Sequence, residues 1–561
     1  MTKSNSASCG RTSVNPAAKM AIGSIDLDTV PGVKAHFAHI RGASNTDKIM
    51  SDPGLRSRAD EIVSAYETLV SDGSPQSQDQ LRQCGLTIAE VALMRQVVDQ
   101  PHLWNRSQVD GPELFTALAR YSIKTGSRTT NKVSYQRALT RVRAIFASSS
   151  FWAVKPNPLS EGEIPFQGRK SSGFPLMSKK ETDEVRGLKE ASRLVRTQRR
   201  CPPCVAAVRV QQKATGPKTR LVFAYPMSMT LIEGMFAPIV IDRIKTSVKC
   251  VSYADGLADT GQMTADARRS KYILETDFSA FDATIPEFMI RDCFDILRAG
   301  FLLNEFDEQA WDTMVNYFIN TPILMPDGNV YITHRGVPSG SWFTNIIDSM
   351  VNLLSIFYAQ DRSGVEGYVR AHVLGDDAII GTENPVDLKQ WSRFASELGL
   401  CMSPDKSKVA VYSDHSRMNY TADVPYYLGR YWTEAGAWYR PIHITLARLL
   451  YHERYVPGDI KLLRLSRMAA HAMDNPMASV LILHLLTGDP SRRFHAYDTG
   501  RREIVTELYK EAQKLGFDVF TASNVTGLSE LMSSSSDTYE AFTYSSYSRN
   551  TWNGRMVPVQ V

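Results

Sequence analysis

Seven cysteines in 561 residues are too few and too scattered to build a disulfide scaffold. The odd count, with no secretory signal pattern, leads us to expect a reducing compartment. No apolar run approaches the ~18 residues of a membrane span, so no membrane segment is expected. Cys201-Pro-Pro-Cys204 has the spacing of a ligand pair, but no second close Cys or His pair completes a zinc site, so it is read as structural. Net charge is also small, only +5, so affinity for polyanions must come from local patches. The clearest patch is defined by what it lacks. Residues 191–220 contain no Asp or Glu but carry Arg193, Arg196, Arg199, Arg200, Arg209, Lys213, Lys218 and Arg220. Such a one-signed run is costly unless it is solvated or matched by a polyanion.

What is present is acidic and regularly placed. Gly375-Asp376-Asp377 lies between the apolar-rich runs Val369–Leu374 and Ala378–Ile380, which predicts a β-hairpin with carboxylates at its turn. Adjacent carboxylates repel, and a divalent cation beside them resolves the repulsion. About a hundred residues upstream, Tyr272–Leu274 suits a short buried strand with Asp277 at its exit and Asp282 one turn later. Between the two lies Pro338-Ser339-Gly340-Ser341, which leads into a helix with apolar residues Phe343, Ile346, Ile347, Met350, Leu353, Leu354 and Phe357. Thr344, Asp348 and Asn352 recur every four residues and form one polar stripe on that helix. A buried stripe needs partners: either a bound sugar or neighbouring loops satisfy it.

Asp-x4-Asp, then Ser-Gly-x3-Thr-x3-Asp-Ser, then Gly-Asp-Asp, in this order and spacing, resembles motifs A, B and C of viral RNA-dependent RNA polymerases. The style of motif B is most similar to that of small double-stranded RNA viruses of the partitivirus and picobirnavirus type. The resemblance implies an α+β right-hand fold of fingers, palm and thumb, with an antiparallel-sheet palm flanked by helices and a mainly α thumb. It implies two Mg²⁺ or Mn²⁺ ions held by Asp277 and Asp376 with help from Asp377. Those ions would activate a 3′-hydroxyl and stabilise a leaving pyrophosphate. Arg209, Lys213, Lys218 and Arg220 resemble motif F, which holds the incoming triphosphate. Asp282, Ser339, Thr344 and Asp348 would contact its sugar, and Gly340 would join the nucleotide site by letting backbone approach the nucleic acid. Many relatives carry Asn where Asp348 stands; Asp282 and Asp348 would either share a proton or each accept from the ribose hydroxyls. Lys406, or else Lys408, occupies the place of the motif D lysine that protonates pyrophosphate. Ser171-Ser-Gly173-Phe-Pro175 resembles motif G, and Tyr426–Trp432 resembles motif E. Glu275 would bind a further metal or simply be a charged edge-of-strand residue.

At 561 residues the chain is too long for one core. The expected divisions are a flexible arm over 1–20, fingers with a palm-linking segment over 21–270, palm over 271–292, a finger insertion over 293–335, palm over 336–438, thumb over 439–532 and a tail over 533–561. Helices are expected through 59–147 with a break at Gly73, over Ala237–Ile244, and from Arg440 onward at Ile444–Tyr451, Ile460–Met473, Ala478–Leu486 and Arg501–Leu515. Met325–Ile332 reads as a hairpin. The Ser- and Tyr-rich tail reads as disordered, or as a plug whose rings stack on bases. RNA template and product, ribonucleoside triphosphates and a capsid protein are the partners that the resemblance implies, in a virion interior or host cytoplasm. Two rival readings are a reverse transcriptase, disfavoured because Asp282 is an acceptor where those enzymes place a bulky aromatic, and a catalytically silent RNA-binding protein of a particle.

Overall fold

The computed structural model describes residues 21–43, 53–83, 86–101, 111–122, 130–147, 153–168, 170–209, 220–252, 257–364, 367–411, 425–432, 438–439, 441–451, 481 and 484. The arm over 1–20, the tail over 533–561, and the helices expected over 460–473, 478–486 (save 481 and 484) and 501–515 lie outside the described residues.

The site is built on a four-stranded antiparallel sheet, in the order Arg370–Leu374, Asp377–Thr382, Tyr272–Thr276, Lys408–Val411. Two of these strands are buried on both faces, and side-chain alternation sorts their residues. Leu274, Ala378 and Ile380 enter the main core, whereas Ile273 and Ile379 join Ala267, Tyr427 and Trp432 on the opposite face. Tyr272–Thr276 pairs with Asp377–Thr382 so that Thr276 faces Ala378, which brings the exit of one strand to the start of the other. The outer hairpin closes through Gly375-Asp376, with Leu374 paired to Asp377. Gly375 takes φ +62°. A positive φ at the first of two loop residues is the pattern of a type II′ turn, for which glycine is the favoured residue.

Against this sheet lies the helix Thr344–Ser363. From Ile346 to Gln360 every residue is buried, so the helix runs through the core rather than over it. It packs on Lys132–Phe146, Glu287–Arg298, Leu388–Glu397 and the strand Arg370–Leu374. Asn131 caps the first of these helices by accepting from the Val133 and Ser134 N–H groups. At its N-terminal end Phe343 belongs to an aromatic cluster, with Phe294 at 5.2 Å, which itself meets Phe318 at 5.1 Å. Edge-on ring pairs of this kind add about 0.5–1.5 kcal/mol each beyond the area they bury.

A second sheet of five strands draws on distant parts of the chain. Its order is Ala21–Ser24, Asn329–Ile332, Pro322–Leu324, Cys204–Arg209, Arg220–Ala224. It contains the expected 325–332 hairpin, turned at Gly328 with φ +82°. Cys201 and Cys204 are unbridged thiols, and Cys204 is fully buried against the Tyr317 hydroxyl. Helices Pro53–Asp72 and Ile88–Asp99 share a separate core with Ile442–Leu450. Among the described residues no helix is long and apolar enough to cross a membrane.

The long helix grips the hairpin tip by its backbone. The Ser349 hydroxyl accepts from the Gly375 N–H at 2.9 Å, and the Asn352 amide donates to the Gly375 carbonyl at 3.0 Å. Asn352→Ala leaves that buried carbonyl without its donor. The expected outcome is a lower urea midpoint, corresponding to about 1–3 kcal/mol, in equilibrium unfolding.

Candidate active site

Three aspartates reach the site from two strand ends. Asp277 follows the strand Tyr272–Thr276, and Asp376 and Asp377 form the hairpin tip. Asp277 is held through its backbone by the turn Ser403–Ser407. Its N–H donates to the Ser407 hydroxyl at 3.0 Å, its carbonyl accepts from the Ser403 N–H at 2.8 Å, and Ser407 in turn donates to the Ser403 carbonyl. The side chain is thereby left for other work, and its Oδ1 is buried without a hydrogen-bond partner. Asp376 and Asp377 sit at the accessible rim. Crowding by surrounding atoms, then the charges of Asp376 and Asp277, push Asp377 up to about 6.

Asp282 lies in the short helix Phe281–Thr284, reached through Ala280 in the left-handed region. Burial, then the charge of Asp376, raises its carboxyl to about 6, while the Arg220 guanidinium pulls it back. Asp348 projects from the long helix and is only 3% exposed. Burial, followed by Asp282 and Asp376, holds its carboxyl well above the ordinary range, and its Oδ1 has no hydrogen-bond partner. Asp282, Asp348 and Asp376 therefore lie close enough to feel one another's charge, and Asp348, like Asp277, retains a buried oxygen that accepts no hydrogen bond.

The remaining polar stripe has a different use. Thr344 donates its hydroxyl to the carbonyls of Pro338 and Ser341, both at 2.9 Å. Asn352 serves Gly375. Of the three stripe residues, Asp348 alone faces the acidic group. Ser339 lies on the strand Arg220–Ala224, with its hydroxyl 3.4 Å from the Leu221 carbonyl and the Phe223 N–H. Gly340 presses so close to that strand that a Cβ would lie 1.7 Å from the Phe223 oxygen. Only glycine permits this approach.

Arg209 and Arg220 are exposed and directly paired in register at the end of their hairpin. Lys213 and Lys218, between them, lie outside the described residues. The two motif D lysines are separated: Lys406 Nζ is 3.8 Å from Asp277 Oδ1, while Lys408 stands opposite Glu275 in the sheet. Glu275 accepts from the Tyr426 N–H at 2.6 Å, which ties the sheet to the hairpin Tyr426–Trp432. Ser171–Pro175 is anchored at Gly173, where a Cβ would lie 2.4 Å from the Tyr225 oxygen.

Sequence reasoning missed two residues. Tyr121 lies beneath the site, donates to the Val337 carbonyl at 3.3 Å, and feels the charges of Asp282 and Asp348. Nothing in its local sequence marks it. Glu233 accepts from the Ser341 hydroxyl and the Trp342 N–H. Its signal was available: one carboxylate inside the apolar run Met227–Phe236 demands a buried partner.

The donor set suits a divalent metal on chemistry. It is all carboxylate oxygen, repels itself, and includes an Oδ1 on Asp277 that accepts no hydrogen bond and has Lys406 Nζ only at 3.8 Å, which a hard cation would satisfy. Among the described residues no three metal-ligating side chains are already drawn together on one point.

Asp348 supplies a pH test. Its folded carboxyl binds its proton more tightly than in the unfolded chain, so its contribution to stability is complete below the ordinary carboxylate range and is lost as pH rises through the raised value. Asp348→Asn removes that loss. Its melting temperature should rise relative to the unsubstituted protein as pH goes from about 5 to about 8, in paired thermal scans.

A family model described as viral RNA-dependent RNA polymerase matches residues 147–487. The chain is 32% identical over 219 residues to the RNA-directed RNA polymerase of Cryptosporidium parvum virus 1 (strain KSU-1), covering 36% of this chain and 41% of that protein. It is 26% identical over 221 residues to the genome polyprotein of Bean yellow mosaic virus, covering 35% of this chain and 7% of that one. The chain thus spans less than half the length of these relatives. Its fold is similar to the crystal structure of the RNA-dependent RNA polymerase of a human picobirnavirus, with a TM-score of 0.63 at 16% identity, over 88% of this chain and 94% of the other. With more than half its length matched by the family and an α+β right-hand polymerase fold, the chain belongs to the viral RNA-dependent RNA polymerases.

Proposed function

We propose that this chain catalyses template-directed transfer of ribonucleotides to a growing RNA, in replication and transcription of a viral genome of double-stranded RNA. The observation that carries the reading is the meeting of Asp277, Asp376 and Asp377 with Asp282 and Asp348 at one end of a sheet, beside the exposed Arg220. Asp277 and Asp376, with Asp377, would hold two Mg²⁺ or Mn²⁺ ions, whose chemistry when bound is activation of a 3′-hydroxyl and neutralisation of a leaving pyrophosphate.

The chain's own residues do the rest. Asp282 and Asp348 accept hydrogen bonds from the ribose, which favours a nucleotide that carries a 2′-hydroxyl. Ser339 and Gly340 hold the loop against the Arg220 strand, and Thr344 ties off its end. Arg220 and Arg209, with Lys213 and Lys218, bind the triphosphate; a guanidinium both binds phosphate and stacks on a base. Lys406, the lysine that faces Asp277, delivers a proton to the leaving group. In this reading residues 271–292 and 336–438 are palm, 21–270 and 293–335 fingers, and 439–532 thumb. The partners are RNA, ribonucleoside triphosphates and a capsid protein, in a virion interior or host cytoplasm.

Labelled ribonucleotides offered on single-stranded RNA with Mg²⁺ or Mn²⁺ test the reading. Template-length product from the unsubstituted protein is expected, and Asp376→Ala should abolish it while RNA binding persists. Product from neither, with RNA bound, would favour a structural RNA-binding protein. In a companion thermal scan, metal at about 100 times its Kd should stabilise the protein by about 2.7 kcal/mol. That gain should fade below about pH 6 as Asp377 protonates, and be lost in Asp376→Ala.

A further inference from the structure

Glu233 is fully buried in the helix Met227–Gly234, all of whose residues are buried. Its two oxygens are both used on the loop that precedes the long helix. One accepts from the Ser341 hydroxyl at 2.7 Å and the other from the Trp342 N–H at 2.8 Å, while Ser341 Oγ accepts from the Phe343 N–H at 3.0 Å. The helix itself offers nothing equivalent, because its N-cap residue is Phe343, which makes no side-chain capping bond. The first turn of a helix leaves N–H groups unpaired and favours nearby negative charge. Glu233 supplies that charge from another element; its own N–H partner, Trp342, lies just before the N-cap, and Ser341 Oγ, which Glu233 holds, takes the Phe343 N–H. Behind Glu233 stands Lys180, half-buried at the start of the helix Lys180–Thr197, with Nζ donating to Thr230 at 3.0 Å. The pair is mutually dependent: burial pushes Glu233 up to about 7 and Lys180 down to about 8, and each charge opposes the other's shift.

The loop is therefore clamped on two sides. Gly340 is pressed against the Phe223 carbonyl, and Ser341 and Trp342 are tied to Glu233. Asp348 lies little more than one turn into the same helix, and the Val337 N–H, at the loop's other end, donates to the Asp282 carbonyl at 2.7 Å. A shift of the loop moves both ends at once: the helix that carries Asp348 and the backbone that holds Asp282.

Resting on the polymerase reading above, we infer that Glu233 is a positioning residue that clamps the Ser339–Trp342 loop and so sets how strictly the site selects a ribonucleotide over its 2′-deoxy counterpart. It touches neither sugar nor phosphate. Its effect is transmitted through the loop to the Asp282 and Asp348 carboxyls.

The test uses the full chain on a primed RNA template, with kcat and KM measured for one ribonucleotide and its 2′-deoxy analogue. Glu233→Ala should raise the ribonucleotide KM about tenfold with a smaller change in kcat, and lower the ribo-to-deoxy ratio of kcat/KM about tenfold. Glu233→Gln should restore both, since its carbonyl accepts from the Trp342 N–H and its amide donates to the Ser341 oxygen. Ser341→Ala removes one of Glu233's two hydrogen bonds to the loop, together with the acceptor for the Phe343 N–H, at little loss of packing, and should lower the ratio about threefold even if Glu233→Ala fails to fold. A lowered melting temperature in these variants, with KM and the sugar ratio unchanged, would overturn the proposal and leave Glu233 a structural cap. An unsubstituted protein that incorporates no ribonucleotide overturns the polymerase reading, and this inference with it.

Discussion

Mutual repulsion among carboxylates is the constraint around which the rest of this structure is arranged. Asp282, Asp348 and Asp376 feel one another's charge, and Asp277 and Asp377 crowd the same end of the sheet. Nothing in a folding chain brings five acids together unless rigid elements force them. Here the force comes from a four-stranded sheet and a helix buried over four turns, whose apolar packing outweighs the cost of the acids. Function and stability are opposed at this point, as they often are where charge is gathered for chemistry.

The polar groups nearest the acids mostly serve the backbone. Ser349 and Asn352 hold Gly375, Ser407 holds Asp277, Thr344 ties off its loop, and Glu275 secures Tyr426. This division leaves carboxylate oxygens unsatisfied while their main chains are fixed. A site organised in this way keeps its reactive groups available without letting them drift.

Much of this was legible in the sequence because it is local. The hairpin at Gly375-Asp376, the strand before Asp277 and the helix from Thr344 follow from two- and fourfold periodicities and from turn chemistry. Of the five-stranded sheet only the 325–332 hairpin was legible. The sheet's strands are three to six residues long and come from residues 21 to 332, and short pairings at such separations leave no periodic trace. Tyr121 was hidden for the same reason. The stripe Thr344, Asp348, Asn352 shows a subtler limit: periodicity placed all three on one face, but not which of them a neighbouring carbonyl would claim. Lys406 and Lys408 could be separated only by the turn at Ser403–Ser407, which points one at Asp277 and pairs the other with Glu275.

The second core joins helices near one end of the chain to a helix far downstream. The Tyr451 hydroxyl bonds the Val97 carbonyl across 354 residues, and Tyr66 meets His484 across 418. During synthesis at about 5–20 residues per second, the apolar faces of Pro53–Asp72 and Ile88–Asp99 wait on the order of tens of seconds for their partner to leave the ribosome. Through that interval they are exposed surfaces, open to aggregation and to chaperones. The last part of this core to close is therefore governed by translation rather than by the speed of folding.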